Sequence, residues 1–183
     1  MKLLRTIRLD PSDTFVFERA AEPGEWAVSG AFMFWDRDPA VLDGKARAAF
    51  RGGFLGVASF GWSTLAQIVE ASEADREAMI EVLAQQLQTQ LGAPGLAEAR
   101  AAAEQEVAFA ASLCDHPQDM LIAVHRTFED GEIREAFRTL RPRGERQPMR
   151  AFTFLEVEGE EEPPGETVDL ATLGNATQKN GDS

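Results

Sequence analysis

The sequence predicts an α+β fold: a mainly antiparallel sheet of about seven strands with a central helical hairpin packed on one face. Three observations carry this expectation. The first third of the chain repeats apolar residues at a rough period of two, broken by short Pro/Gly turns. The middle holds two long runs at helical spacing. The last ordered part places an Asp-Gly turn between two alternating runs. Strands and helices segregated in this way argue against a doubly wound fold.

The elements follow in chain order. In "KLLRTIRLD", Leu3, Arg5, Ile7 and Leu9 share one face, and Asp10-Pro11 ends the run. "TFVFERA", with Phe15 and Phe17 on one face, predicts a second strand, and Pro23-Gly24 centres the next turn. "EWAVSGAFMFW" reads as a third, with Trp26, Val28, Phe32 and Phe34 in alternation. Asp36, Asp38, Pro39 and Asp43-Gly44 then mark a loop. "KARAAF" predicts one short helix stopped at Gly52-Gly53, and "RGGFLG" is read only as that stop. "SFGWSTLAQIVEA" returns to strand, with Trp62, Thr64, Ala66 and Ile68 on one face; a helical reading of this stretch stays open.

The centre is the clearest part. Ser72 with Asp75 three residues on forms a capping-box pattern, and Met79, Val82, Leu83, Leu87 and Leu91 fall at helical spacing before Gly92 and Pro94. A second helix from about Leu96 to Leu113 has the stripe Leu96, Ala99, Ala103, Val107, Ala110 and Leu113. Asp130-Gly131 then joins two strands, as a two-residue type I′ turn prefers. "RAFTFLEVE" is the last strand. Residues 1–158 are expected to form one domain. From residue 159 onward the chain is acidic, rich in Pro and Gly and poor in large apolar groups, which predicts a disordered tail; within it "TVDLATL" is a candidate docking element.

Composition bounds the function. The chain has 183 residues, 44% apolar residues and a net charge of -13, which argues against nonspecific binding of DNA or of anionic membranes. The excess is uneven: residues 156–183 hold eight acids and one lysine. No run of apolar residues is long enough to span a bilayer, and Lys2, Arg5 and Arg8 interrupt any signal-like stretch. A single cysteine forms no internal disulfide, so a reducing cytoplasm is expected.

The stretch "CDHPQDMLIAVHR" gathers the lone Cys114 and both histidines, His116 and His125. A structural zinc site needs four ligands in closely spaced pairs, and this stretch supplies only C-x-H. Cys114 ends a helix and lies near Asp115 and Asp119, a setting that disfavours a thiolate. The expectation is therefore no metal, no cofactor and no catalytic nucleophile: Cys114 a small buried group, His116 a turn residue, His125 a half-buried strand residue. No P-loop, dinucleotide fingerprint, serine elbow or zincin motif occurs.

Two functional readings remain. The leading one is a non-catalytic accessory protein of the cytoplasm that acts by protein–protein contact or self-association. Its candidate surface is Trp35 or Trp62, because Phe34 and Trp35 must point to opposite faces, together with Arg138, Arg141, Arg143 and Arg146 of the one basic stretch. No nucleic acid is expected there, since no aromatic in that run can stack on bases. The alternative is a small-molecule-binding protein or enzyme with a pocket between sheet and helices, walled by the aromatics of residues 32–62, with Asp36, Asp38 or His125 as polar groups.

Overall fold

The computed structural model describes residues 1–142 together with the backbone of the strand at 155–157. One curled sheet of eight strands runs in the order β4-β3-β2-β1-β5-β6-β7-β8, and every neighbouring pair is antiparallel. β1 (Lys2–Ile7) lies at the centre, paired with β5 (Leu65–Glu70) along its whole length and with β2 (Trp26–Val28) on the other side. Leu3 and Leu4 point to opposite faces and are both fully buried, so this strand is covered on each side. β3 (Phe54–Gly56) and β4 (Trp62–Ser63) extend one flank. β6 (Leu121–Glu129), β7 (Glu132–Pro142) and β8 (Leu155–Val157) extend the other.

One expected strand is not a strand, and another is cut short. "TFVFERA" folds as α1 (Asp13–Val16) followed by bends. Local side-chain bonds win here: Asp10 accepts from the Ser12 amide at 2.8 Å, and the Thr14 hydroxyl donates to the Pro11 carbonyl at 2.5 Å. Asp13 is buried and accepts from both the amide and the hydroxyl of Thr64, which fixes α1 to the sheet. The run "EWAVSGAFMFW" stops being a strand after Val28. Gly30 takes φ +84°, which only glycine adopts readily, and Ala31–Phe34 form a 3-10 turn. A side chain at Gly30 would also strike Leu55 and the Trp62 ring, at 2.7 and 2.9 Å. A second 3-10 turn, Pro39–Val41, is capped by Asp38. The unforeseen element is β3, hidden behind the helix-stopping glycines.

α2 (Gly44–Gly52) is the short helix the sequence predicts, capped by Asp43. α3 (Glu73–Leu91) has both arms of the Ser72–Asp75 capping box, and Gly92 ends it with φ +67°. α3 and α4 (Leu96–Ser112) form the expected hairpin, and α4 packs on β1 and β2. Met79, Ile80, Leu83, Ala84 and Leu87 of α3 meet Ala99, Ala103, Val107 and Ala110 of α4. The buried stripe of α3 is rotated slightly from the expected one, leaving Val82 and Leu91 exposed. Small residues on α4 let the helices approach closely, and each large apolar side chain buried contributes about 1.5–3 kcal/mol. Arg100 of α4 bridges to Glu77 of α3 at 2.6 Å and also pairs with Glu81 and Glu104, a surface clamp across the hairpin. Asp130 and Gly131 take φ +54° and +77°, as the I′ turn requires. The expected domain boundary at 158, the expected disorder of 159–183 and residues 150–154 and 158 of the last strand lie outside the described residues.

Candidate functional site

The turn at Asp130-Gly131 sets the register of β6 and β7, and that register places Arg126 directly opposite Glu135. Alternation puts Arg126 on the same inward face as Ile122 and Val124, and His125 on the outer one. Arg126 is 1% exposed. An arginine is so buried only when its donors are satisfied, and here each nitrogen is. Nε donates to Glu135 at 2.9 Å. Nη1 donates to the carbonyls of Ala49, Phe50 and Gly53, the last at 2.7 Å. Nη2 donates to the carbonyl of Ser29 and, at 3.2 Å, to its hydroxyl. The Ser29 hydroxyl in turn donates to Glu135. The cation therefore caps the C-terminal end of α2, where orphan carbonyls and the helix dipole both favour positive charge. One side chain locks α2, the end of β2 and the β6–β7 hairpin together.

Glu106 of α4 adds a second carboxyl to this region. Its own burial, and next the charge of Glu135, raise its pKa from 4.5 to about 7, with Arg126 opposing. Burial likewise pulls Arg126 below its ordinary value, while Glu135 pushes it back up. A hydroxyl, two carboxyls and a guanidinium are groups that acid–base chemistry uses. Yet Ser29 is 1% exposed, its hydroxyl is engaged inside the cluster, and neither groove described below is lined by Ser29, Glu106 or Glu135. The arrangement is a structural lock.

Two open troughs, each of about 480 Å³, flank α2. Helical spacing divides its side chains between them. Lys45, Ala46 and Ala49 face the first, whose floor is Met33, Phe34, Phe60 and Trp62 and whose rim carries Glu18, Arg19 and Arg37. Arg47, Phe50 and Arg51 face the second, together with Pro39, Ala40 and residues 125–128 of β6. We call them the aromatic groove and the arginine groove.

The expected surface residues separate. Trp35 is 70% exposed and stands edge-on to Phe32, which contacts Phe60 of the aromatic groove, each pair 6.4 Å between centroids. Trp62 is instead buried, at 9% exposure, and stacks on Phe34. The reason is the αL bend at Gly30, which folds the 3-10 turn over the β3–β4 edge. Arg138 and Arg141 are exposed on β7; Arg143 and Arg146 lie outside the described residues. Asp36 and Asp38 are exposed loop residues, and Asp38 serves as a cap. His125 is exposed rather than half-buried and lines the arginine groove, which neither aspartate does. The three polar groups of the pocket reading are thus not brought together. Cys114 is buried, its thiol pushed up to about 11 by desolvation, and donates to the Ala110 carbonyl. His116 is exposed, and its carbonyl accepts from Lys2. Among the described residues no group of three or more His, Cys, Asp or Glu could hold a metal ion, and no helix is long and apolar enough to cross a membrane.

Sequence reasoning missed Arg126, Glu135 and Ser29. A signal was present: Arg126 and Glu135 are equidistant from the Asp130-Gly131 turn, so a two-residue turn had to pair them. No curated protein and no solved structure matches this chain. The profile of a family of unknown function, DUF6505, spans residues 1–154, which takes in every element from β1 to β7, and the chain belongs to that family.

Proposed function

We propose that this is a non-catalytic binding protein of the cytoplasm, acting by protein–protein contact through the surface formed by Trp35 and the aromatic groove. The observation that carries the reading is Trp35 itself. A tryptophan 70% exposed beside a groove floored by Phe34, Phe60 and Trp62 is the kind of anchor that dominates interfaces. Around it, Arg37 and Lys45 make no ion pair among the described residues, and Glu18 is the one acid on the rim. The partner segment this surface suits carries an apolar side chain for the groove and carboxylates for its rim. The lone, buried cysteine supports a reducing compartment.

A photo-reactive phenylalanine analogue placed at position 35 tests this in the protein's own cells, with the same group at exposed Thr89 as control. A discrete adduct at position 35, weakened by Arg37→Glu with Lys45→Glu, supports the reading; a second copy of the chain as the adduct would make it self-association. Equal labelling at the two positions defeats it.

A further inference from the structure

The arginine groove is a different surface, and its charge is one-sided. Its lining holds Arg47, Arg51, Arg126 and His125 and no carboxylate, on a chain of net charge -13. Arg126 is neutralised by Glu135. Arg47 spends one nitrogen on the Leu42 carbonyl, and Arg51 makes no ion pair among the described residues. Arg47 and Arg51 are four residues apart on one helix face, where like charges repel unless an anion lies between them. Phe128, 45% exposed, supplies an apolar edge.

We propose that this groove takes the acidic run of the same chain, Glu158 through Glu166. The strand register supplies the geometry. β8 ends at Val157, which lies opposite Leu140, and being antiparallel to β7 it heads toward the Asp130-Gly131 turn. The groove lies at that end, since Thr127 is opposite Arg134. From the level of Leu140 to that of Arg134 is six residues, about 20 Å, and two strand spacings across the sheet add about 10 Å sideways. The separation is therefore about 22 Å. Nine residues from Val157 to Glu166 reach up to about 30 Å. Glu162 and Glu166, five and nine residues past Val157, are carried up to about 17 and 30 Å, so their side chains are the ones that come within reach of the groove arginines. The acidic run is thus directed toward the end of the sheet where a groove carries arginines and no carboxylate in its lining. Carboxylates held between Arg47 and Arg51 relieve the repulsion on α2, and the contact covers a face that a partner acid would otherwise compete for.

Paramagnetic NMR on the full chain tests this, with a nitroxide at Pro164→Cys in a Cys114→Ser background. At about 0.01 M salt, where the screening length is ~30 Å, the amides of His125, Thr127 and Phe128 lose roughly half their intensity or more, and at about 1 M, where it is ~3 Å, they recover. Neutralising the carboxylates within reach by Glu162→Gln with Glu166→Gln abolishes the effect, as does Arg51→Glu. Three results would overturn the proposal. One is broadening at the groove no greater than at Thr89 and Gln90 on α3. Another is broadening that survives both sets of substitutions. The third is broadening in a mixture of nitroxide-free isotope-labelled chain with labelled-tail chain, which assigns the groove to a second copy.

Discussion

Removing the buried cation by Arg126→Met keeps most of the side-chain volume and deletes all of its donors. Three carbonyls at the end of α2, the carbonyl and hydroxyl of Ser29, and the Glu135 carboxylate then lose their partner. Glu135 is only 17% exposed, so it is left largely buried and unpaired. Breaking a buried pair from one side costs about 3–5 kcal/mol. A domain's whole stability is about 5–15 kcal/mol, so the variant should be marginal. At about 2–4 °C per kcal/mol for a chain of this size, the melting temperature falls by about 6–20 °C. Urea unfolding followed by tryptophan fluorescence reads the loss directly. Adding Glu135→Gln removes the uncompensated charge and should restore part of it, whereas Arg126→Lys should restore little, because an ammonium cannot span six acceptors arranged around a planar fork. Hydrogen exchange should quicken first in the last turn of α2. A loss under about 1 kcal/mol, or a double variant no better than the single one, would refute the claim that this cluster locks the fold.

Four further outcomes follow from particular contacts. Glu106 is protonated more readily in the folded chain than unfolded, its pKa rising from 4.5 to about 7, so the folded state binds the extra proton and stability declines as pH rises between those values; Glu106→Gln should flatten that slope and stabilise the protein above it, as pH-dependent urea midpoints will read. Trp62→Ala should cost about 3–5 kcal/mol as a buried aromatic, and Trp35→Ala no more than about 0.5 kcal/mol, so near-equal losses in thermal melts would reverse the assignment of core and surface. Ser72→Ala removes the cap of α3 and should cost about 1 kcal/mol, seen as faster exchange in its first turn. Cys114, with its thiol raised to about 11, should resist alkylation at about pH 8 until denaturant is added, and rapid labelling of the native protein would place it at the surface.

What the sequence determined by itself is everything that local chemistry settles. The capping box at Ser72 and Asp75, the glycine after Leu91 and the spacing between them suffice for α3, because each signal acts within a turn or two of itself. The Asp-Gly pair suffices for the β6–β7 hairpin, since only residues tolerant of positive φ make that turn, and α+β follows from the segregation of the two periods. Where two local signals compete, the period misleads: Phe15 and Phe17 alternate, yet the Asp10 and Thr14 side chains bend the backbone into α1; Phe32 and Phe34 alternate beyond Val28, yet Gly30 has already turned the chain. What only the tertiary structure decided is burial. Trp35 and Trp62 look alike in sequence, and one is solvent-facing while the other is covered, because the covering turn comes from a different segment. Arg126 looks like any strand arginine beside His125. Its acceptors come from Ser29, 97 residues away, from Gly53, 73 away, and from Glu135, nine away. A charge is tolerated inside a protein only when such acceptors converge on it, and convergence of distant backbone carbonyls leaves no trace in the pattern of any single stretch.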